Sequence, residues 1–254
     1  MSIGTLEWCR RTGGKLGFRD TLAQLAEAIT MQIALLPGEL RWRLGFPTRV
    51  PPLDPAKFEP PDTAASRAAE AHCRAVSPPY LVNHCLRSYL WARLFAEHQR
   101  LSVDDELLYV ACLLHDLGLT QRYASGRPGV HCFAIRGAEA ARAVAREAGW
   151  PDERADAMAE SITLHVNVRV GRPYPPEARL LNAATALDVT GLRFWELHPD
   201  SVSTVVTRLP RLGMKKEIWS VWKPEADAHP GCRAHFLDRY LQFGFRVRTA
   251  PFDE

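Results

Sequence analysis

From Thr21 to the C-terminus, apolar residues recur three and four positions apart in one window after another, while alternating apolar and polar runs are scarce. The pattern predicts an all-α protein. Two proline-rich stretches interrupt it: residues 46–61, with Pro47, Pro51, Pro52, Pro55, Pro60 and Pro61, and the shorter run from Arg172 to Pro176. The first reads as a linker between an N-terminal helical extension, residues 1–60, and a core domain, residues 61–254. Such an extension is placed to cap the core or to mediate dimerisation, so a homo-oligomer is one expected assembly.

Within the core, one helix is predicted over Tyr80–His98, and Ser102 with Asp105 reads as a capping box opening the next, which runs into Leu113, Leu114, His115 and Asp116. A third spans Phe133–Ala148, rich in Ala, Glu and Arg, and stops at Gly149, where a left-handed C-cap is expected. Pro151 fits the first position of a fourth, whose Met158, Ile162 and His165 share a face. Pro176 opens another that closes at Gly191.

Four of these helices carry a metal-type ligand on or beside the apolar stripe: His84, the His115–Asp116 pair, His165 and Asp188. Asp188 stands out, because Leu181, Ala184 and Asp188 share a face in the almost wholly apolar run LLNAATALDVTG. A lone buried carboxylate is costly, so Asp188 requires a charged or metallic partner. Asp116 follows the apolar run LLYVACLLH with no basic residue before Arg122, and a shared cation would satisfy both carboxylates. Two imidazoles and two carboxylates, from His84, His115, Asp116 and Asp188, suit one divalent transition ion with positions left for water. Zinc is the first choice, and Fe, Mn, Ni and Co fit the same donors. A single His on an apolar face is more often a satisfied core residue; the ordered set carries the argument.

Composition narrows the partners. Of 254 residues, 46% are hydrophobic and 24% charged, as in an ordinary globular chain. The formal net charge is +3, and 27 of the 32 basic residues are Arg, scattered rather than gathered into a stripe, so no nucleic-acid partner is indicated. Glu7, Arg10, Arg11, Lys15, Arg19 and Asp20 break up any export signal, and no run approaches the roughly 18 apolar residues that span a bilayer. Six cysteines without C-x-x-C spacing fit free thiols in a reducing, cytoplasmic setting.

The segments NHCLRSYLWA, ACLLHDLGLT and ALDVTG resemble the HD superfamily, helical metal-dependent hydrolases named for their adjacent His-Asp pair. Within it, CFAIRGAEAA, ITLH and RLPRLG make residues 80 to about 215 similar to the cyanamide hydratase-like group. The resemblance implies an HD-type helical bundle, metal binding by His84, His115, Asp116 and Asp188, and addition of water to a small molecule such as cyanamide. A bound divalent ion lowers the pKa of its water toward ~7. His165 is then the expected acid–base group, and Arg87, one turn after His84, either salt-bridges Asp116 or binds substrate.

Three other readings stand beside this one. A nucleotide or other phosphate-ester phosphohydrolase would need basic residues at the metal, drawn from Arg87, Arg122, Arg127 and Arg136. A di-iron oxygenase would recruit His131 and His165 as extra ligands. A non-catalytic module would hold its metal for stability alone. A small neutral substrate fits best, in an apolar pocket expected around Leu81, Leu114 and Ile162, with Trp219 and Trp222 assigned to the core.

Overall fold

The computed structural model describes residues 2–124 and 131–254. Among them are twelve α-helices and no strand, in agreement with the all-α expectation. The chain begins with α1 (Leu6–Thr12), whose N-terminus is capped by Thr5, and α2 (Phe18–Arg43), which contains Pro37. A non-helical, proline-rich stretch follows, then α3 (Ala64–Val76) and α4 (Pro79–Gln99). The central helices are α5 (Asp105–Leu114), α6 (Phe133–Glu147), α7 (Asp152–Leu164) and α8 (Pro176–Thr190). The last four are α9 (Pro199–Arg208), α10 (Met214–Ala228), α11 (Arg233–Leu241) and α12 (Phe243–Thr249).

Helix ends account for most boundaries. Gly191 sits at φ 71° and ends α8 in the left-handed conformation that glycine adopts without strain. The cap of α5 differs from the Ser102–Asp105 box read from sequence: Asp104 accepts from the Leu107 amide at 3.0 Å and is itself bonded by Arg154. Pro151 is the N-cap of α7 rather than its first helical residue.

The main core is formed where α4 packs along α8, α6 along α7, and α5 between them. Leu81, Leu114 and Ile162 are wholly buried, Leu114 and Ile162 in this core and Leu81 in a second one built with α1 and α10–α12. Leu6 and Phe58, from either end of residues 1–60, also lie in the main core. α2 lies against the domain through Gln24, which accepts from the Val168 amide, Ala28 beside Phe236, and Trp42, which packs on Phe194 and Trp195.

Candidate metal centre

α4 is amphipathic in an unusual sense: three hydrogen-bond donors, His84, Arg87 and Trp91, occupy one buried face at i, i+3 and i+7. All three are directed at the carboxylate of Asp188 on α8. Its Oδ1 accepts from Arg87 Nε at 2.8 Å and Trp91 Nε1 at 2.7 Å, and its Oδ2 from Arg87 Nη2 at 2.8 Å and His84 Nδ1 at 2.7 Å. Burial alone would raise the pKa of this carboxyl, but Arg87 and the hydrogen bonds hold it well below the usual carboxylate range. The charged partner that an isolated apolar-face aspartate demands is thus Arg87, with the buried Arg211 Nη1 3.6 Å from Oδ1 behind it.

The Nδ1 of His84 is occupied, so its Nε2 is the free nitrogen, and it lies 3.1 Å from His115 Nε2. His115 ends α5 and is fixed in the same sense: its Nδ1 donates to the Cys112 carbonyl at 2.8 Å. At the end of α7, His165 repeats the device, its Nδ1 donating to the Ile162 carbonyl at 2.5 Å. Each imidazole is therefore locked through one ring nitrogen and presents the other. All three Nε2 atoms surround the Asp116 carboxylate: His115 at 3.3 Å and His84 at 3.5 Å from Oδ2, His165 at 3.7 Å from Oδ1. Burial opposes the charged forms, yet Asp116 is held well below its ordinary pKa by His115 and His84, and His84 is raised by Asp116 and Asp188. His165 goes the other way, pushed down to about 3 by burial and by the neighbouring His115.

The turn carrying Asp116 is held by glycine. Gly118 lies directly against the backbone of Phe133 at the start of α6, where a methyl group would overlap the Phe133 carbonyl, and Gly137 packs on the same turn. α6 can approach the His115–Asp116 turn only because both positions lack a side chain.

Donor atoms of His84, His115 and Asp116 all lie within 4.8 Å of one another, and all three residues are buried. Asp188 does not join that group; it lies behind His84, with both oxygens engaged by α4. Arg87, read from sequence as a partner of Asp116 or of substrate, is wholly buried, bonded to Asp188 and to the Leu209 and Pro210 carbonyls. It does not reach the cavity. His131 is exposed, near Gly13, and outside the group that the di-iron reading required. Arg127 falls outside the described residues. Arg122 is exposed and Arg136 is bonded to Glu225, and neither borders the cavity.

The cavity over the histidines and Asp116 holds about 110 Å³. Its walls are not Leu81, Leu114 and Ile162, which lie in the cores, but Met31 of α2, Val166, Thr185, Ile218, Trp222 and Phe243. Trp222 is buried as expected, yet it is also a wall of the cavity, stacked on Phe243 with ring centres 4.0 Å apart. Apart from histidine, Arg246 of α12 is the cationic residue among the described lining.

Residues 81–190, which include all of these histidines as well as Asp116 and Asp188, match the HD domain family. Two Saccharomyces cerevisiae proteins, cyanamide hydratase DDI2 and cyanamide hydratase DDI3, are each 28% identical to the chain over 160 residues, which cover 62% of this chain and 70% of each relative. The all-helical fold and the buried His-His-Asp cluster agree with that match, and the chain is similar to the HD domain family over residues 81–190 and to these two yeast cyanamide hydratases.

Proposed function

We propose that the chain is a metal-dependent enzyme that adds water to a small, uncharged nitrogen compound of the cyanamide or nitrile kind. The observation that carries this reading is the convergence of His84, His115 and Asp116 on the floor of a small, largely apolar cavity. The donor set fits a divalent transition ion, with zinc the first candidate. Two imidazole nitrogens and one carboxylate oxygen form a three-ligand catalytic set with a position left open. Each ligating imidazole has its other nitrogen hydrogen-bonded, the arrangement that fixes tautomer and orientation at metal sites. Asp188 acts here as a positioning residue, orienting His84 rather than contacting the ion. When bound, the ion supplies a water whose pKa lies near ~7.

The protein's own groups then handle protons and exclusion of solvent. His165, neutral and with Nδ1 tied to the Ile162 carbonyl, offers its bare Nε2 beside Asp116 Oδ1. It accepts the proton of the attacking water as the carbon–oxygen bond forms, and delivers it to the nitrogen whose carbon–nitrogen π bond breaks. The Ile162 carbonyl holds that imidazole in register. Apolar walls from Met31, Ile218 and Trp222 exclude bulk water and admit an uncharged molecule at low desolvation cost.

The similarity to yeast proteins called cyanamide hydratases supports this substrate class. A second reading, a nucleotide or other phosphate-ester phosphohydrolase, is favoured by Arg246, which could meet an anion. A single Arg is a thin clamp for a phosphate ester, which ordinarily takes a bidentate or multiple cationic site. The test offers metal-loaded enzyme cyanamide and, separately, nucleoside monophosphates. Urea formed faster than phosphate is expected; rapid phosphate release abolished by Arg246→Ala, with no urea, replaces this reading with the second.

A further inference from the structure

The outward face of α2 has an apolar pattern of its own. Phe18, Leu22, Ile29, Ile33, Leu36, Leu40 and, at the C-cap, Leu44 are exposed, from 50% at Leu22 to 79% at Phe18. At about 100° per residue, these positions and the exposed Ala26 fall within an arc of about 80°. Gln24, Ala28 and Trp42, which hold α2 to the domain, lie on the opposite side. The helix is apolar on two faces, and among the described residues only one face has a partner.

Two properties of the outer seam identify what covers it. Leu22, Ile29 and Leu36 recur every seven residues, as do Ala26, Ile33 and Leu40, the repeat by which one helix packs along another. The seam is also symmetrical about residue 31: Phe18 and Leu44, Leu22 and Leu40, Ala26 and Leu36, Ile29 and Ile33 are equidistant from it. An antiparallel copy of α2 therefore sets an apolar side chain opposite each apolar side chain, the self-complementarity a two-fold interface requires. Burying the seam removes on the order of 800 Å² per partner, the size of a standard interface and more than a monomer's largest apolar patch ordinarily shows. Residues 28–38 carry no charge, and the whole helix balances Arg19, Arg41 and Arg43 against Asp20, Glu27 and Glu39. A helix built to lie on an anionic membrane would carry an excess of Lys and Arg beside its apolar face.

We propose that α2 is the interface of a two-fold symmetric homodimer in which two copies of the chain pair antiparallel along the seam from Phe18 to Leu44. The inner side of the same helix lends Met31 and Gln32 to the cavity, so pairing braces one wall of each site. The assignment stands independently of the reaction proposed above.

Sedimentation equilibrium of the full chain should give twice the 28.5 kDa chain mass at micromolar concentration. Ile29→Glu combined with Ile33→Glu should give a monomer of unchanged helical circular dichroism, because both side chains face solvent in the single chain. Orientation is read by mixing Leu22→Cys protein with Leu40→Cys protein and treating with a short bismaleimide. The six native cysteines are buried, and cross-linking should be strong in the mixture and weak in either variant alone. A monomeric native chain, a dimer that survives the double Glu substitution, or equal cross-linking by either variant alone overturns the proposal. So does a monomer that floats with phosphatidylserine-containing vesicles, which would assign the seam to a membrane.

Discussion

The carboxylate of Asp188 accepts a hydrogen bond from His84 Nδ1 at 2.7 Å, and this contact turns the other nitrogen of His84 toward His115 and Asp116. A buried polar network of Asp188, His84, Arg87 and Trp91 is thus built behind the cluster. Asp188→Asn preserves volume but removes the charge opposite Arg87. Leaving a buried guanidinium unpaired should cost about 3–5 kcal/mol, read by chemical denaturation. Loss of the orienting contact should also weaken zinc binding about 10–100-fold, read by chelator competition on the folded protein. Lost stability with unchanged metal affinity would make Asp188 a purely structural residue.

His165 is tested by His165→Gln, which keeps a polar side chain against Asp116. Metal content should be retained while kcat falls about 10²–10⁴-fold. Retained kcat, or loss of the metal, would remove His165 from proton transfer.

Arg87 should behave as a structural residue. Arg87→Met removes the bidentate cation of Asp188 and leaves only Arg211, 3.6 Å away, so unfolding free energy should drop by up to about 3–5 kcal/mol. KM of the fraction that remains folded should stay within a few-fold of the native value. A large selective rise in KM would mean that Arg87 contacts substrate.

Gly118→Ala places a methyl group on the Phe133 carbonyl and should push α6 off the Asp116 turn. Strain of this kind costs about 1–3 kcal/mol, measurable as a lowered Tm, and metal affinity should fall with it. An unchanged Tm would show that the turn and α6 separate freely.

Buried thiols set an alkaline limit, Cys9 and Cys232 among them. Burial pushes Cys9 up to about 11 and Cys232 up to about 12, against an ordinary value of 9.0. Because both folded values are raised, the stability linked to them is fully present below pH 9 and is lost as pH climbs from 9 through 12. Tm measured from pH 8 to 11 should therefore fall less steeply in Cys9→Ala than in the native chain. Identical slopes would contradict the linkage.

Much of this was readable in the chain. His84 and Asp188 lie on apolar helix faces where a hydrophobe is ordinary, and His115, Asp116 and His165 directly follow the apolar ends of α5 and α7, so their displacement is visible from the apolar pattern alone. Periodicity assigns a face and leaves open which neighbour meets it. That Asp188 faces Arg87 and Trp91 follows from the packing of α8 on α4, about a hundred residues apart in sequence. Several cavity walls escaped for the same reason: Leu81 and Leu114, beside His84 and His115 on their own helices, are core, whereas Met31, Ile218, Trp222 and Phe243 arrive from both ends of the chain. α1 is seven residues long, too short for a periodic signal, although Thr5 is a recognisable N-cap. Asp104 outcompeted Ser102 as the α5 cap because Arg154 fixes it there.

The central claim, one catalytic ion held by His84, His115 and Asp116, is tested most directly by elemental analysis of the purified, metal-loaded chain and of His115→Ala. The account predicts one divalent transition ion per native chain and almost none in the variant, with helical circular dichroism retained. Full occupancy in His115→Ala, or two ions per native chain, would contradict it.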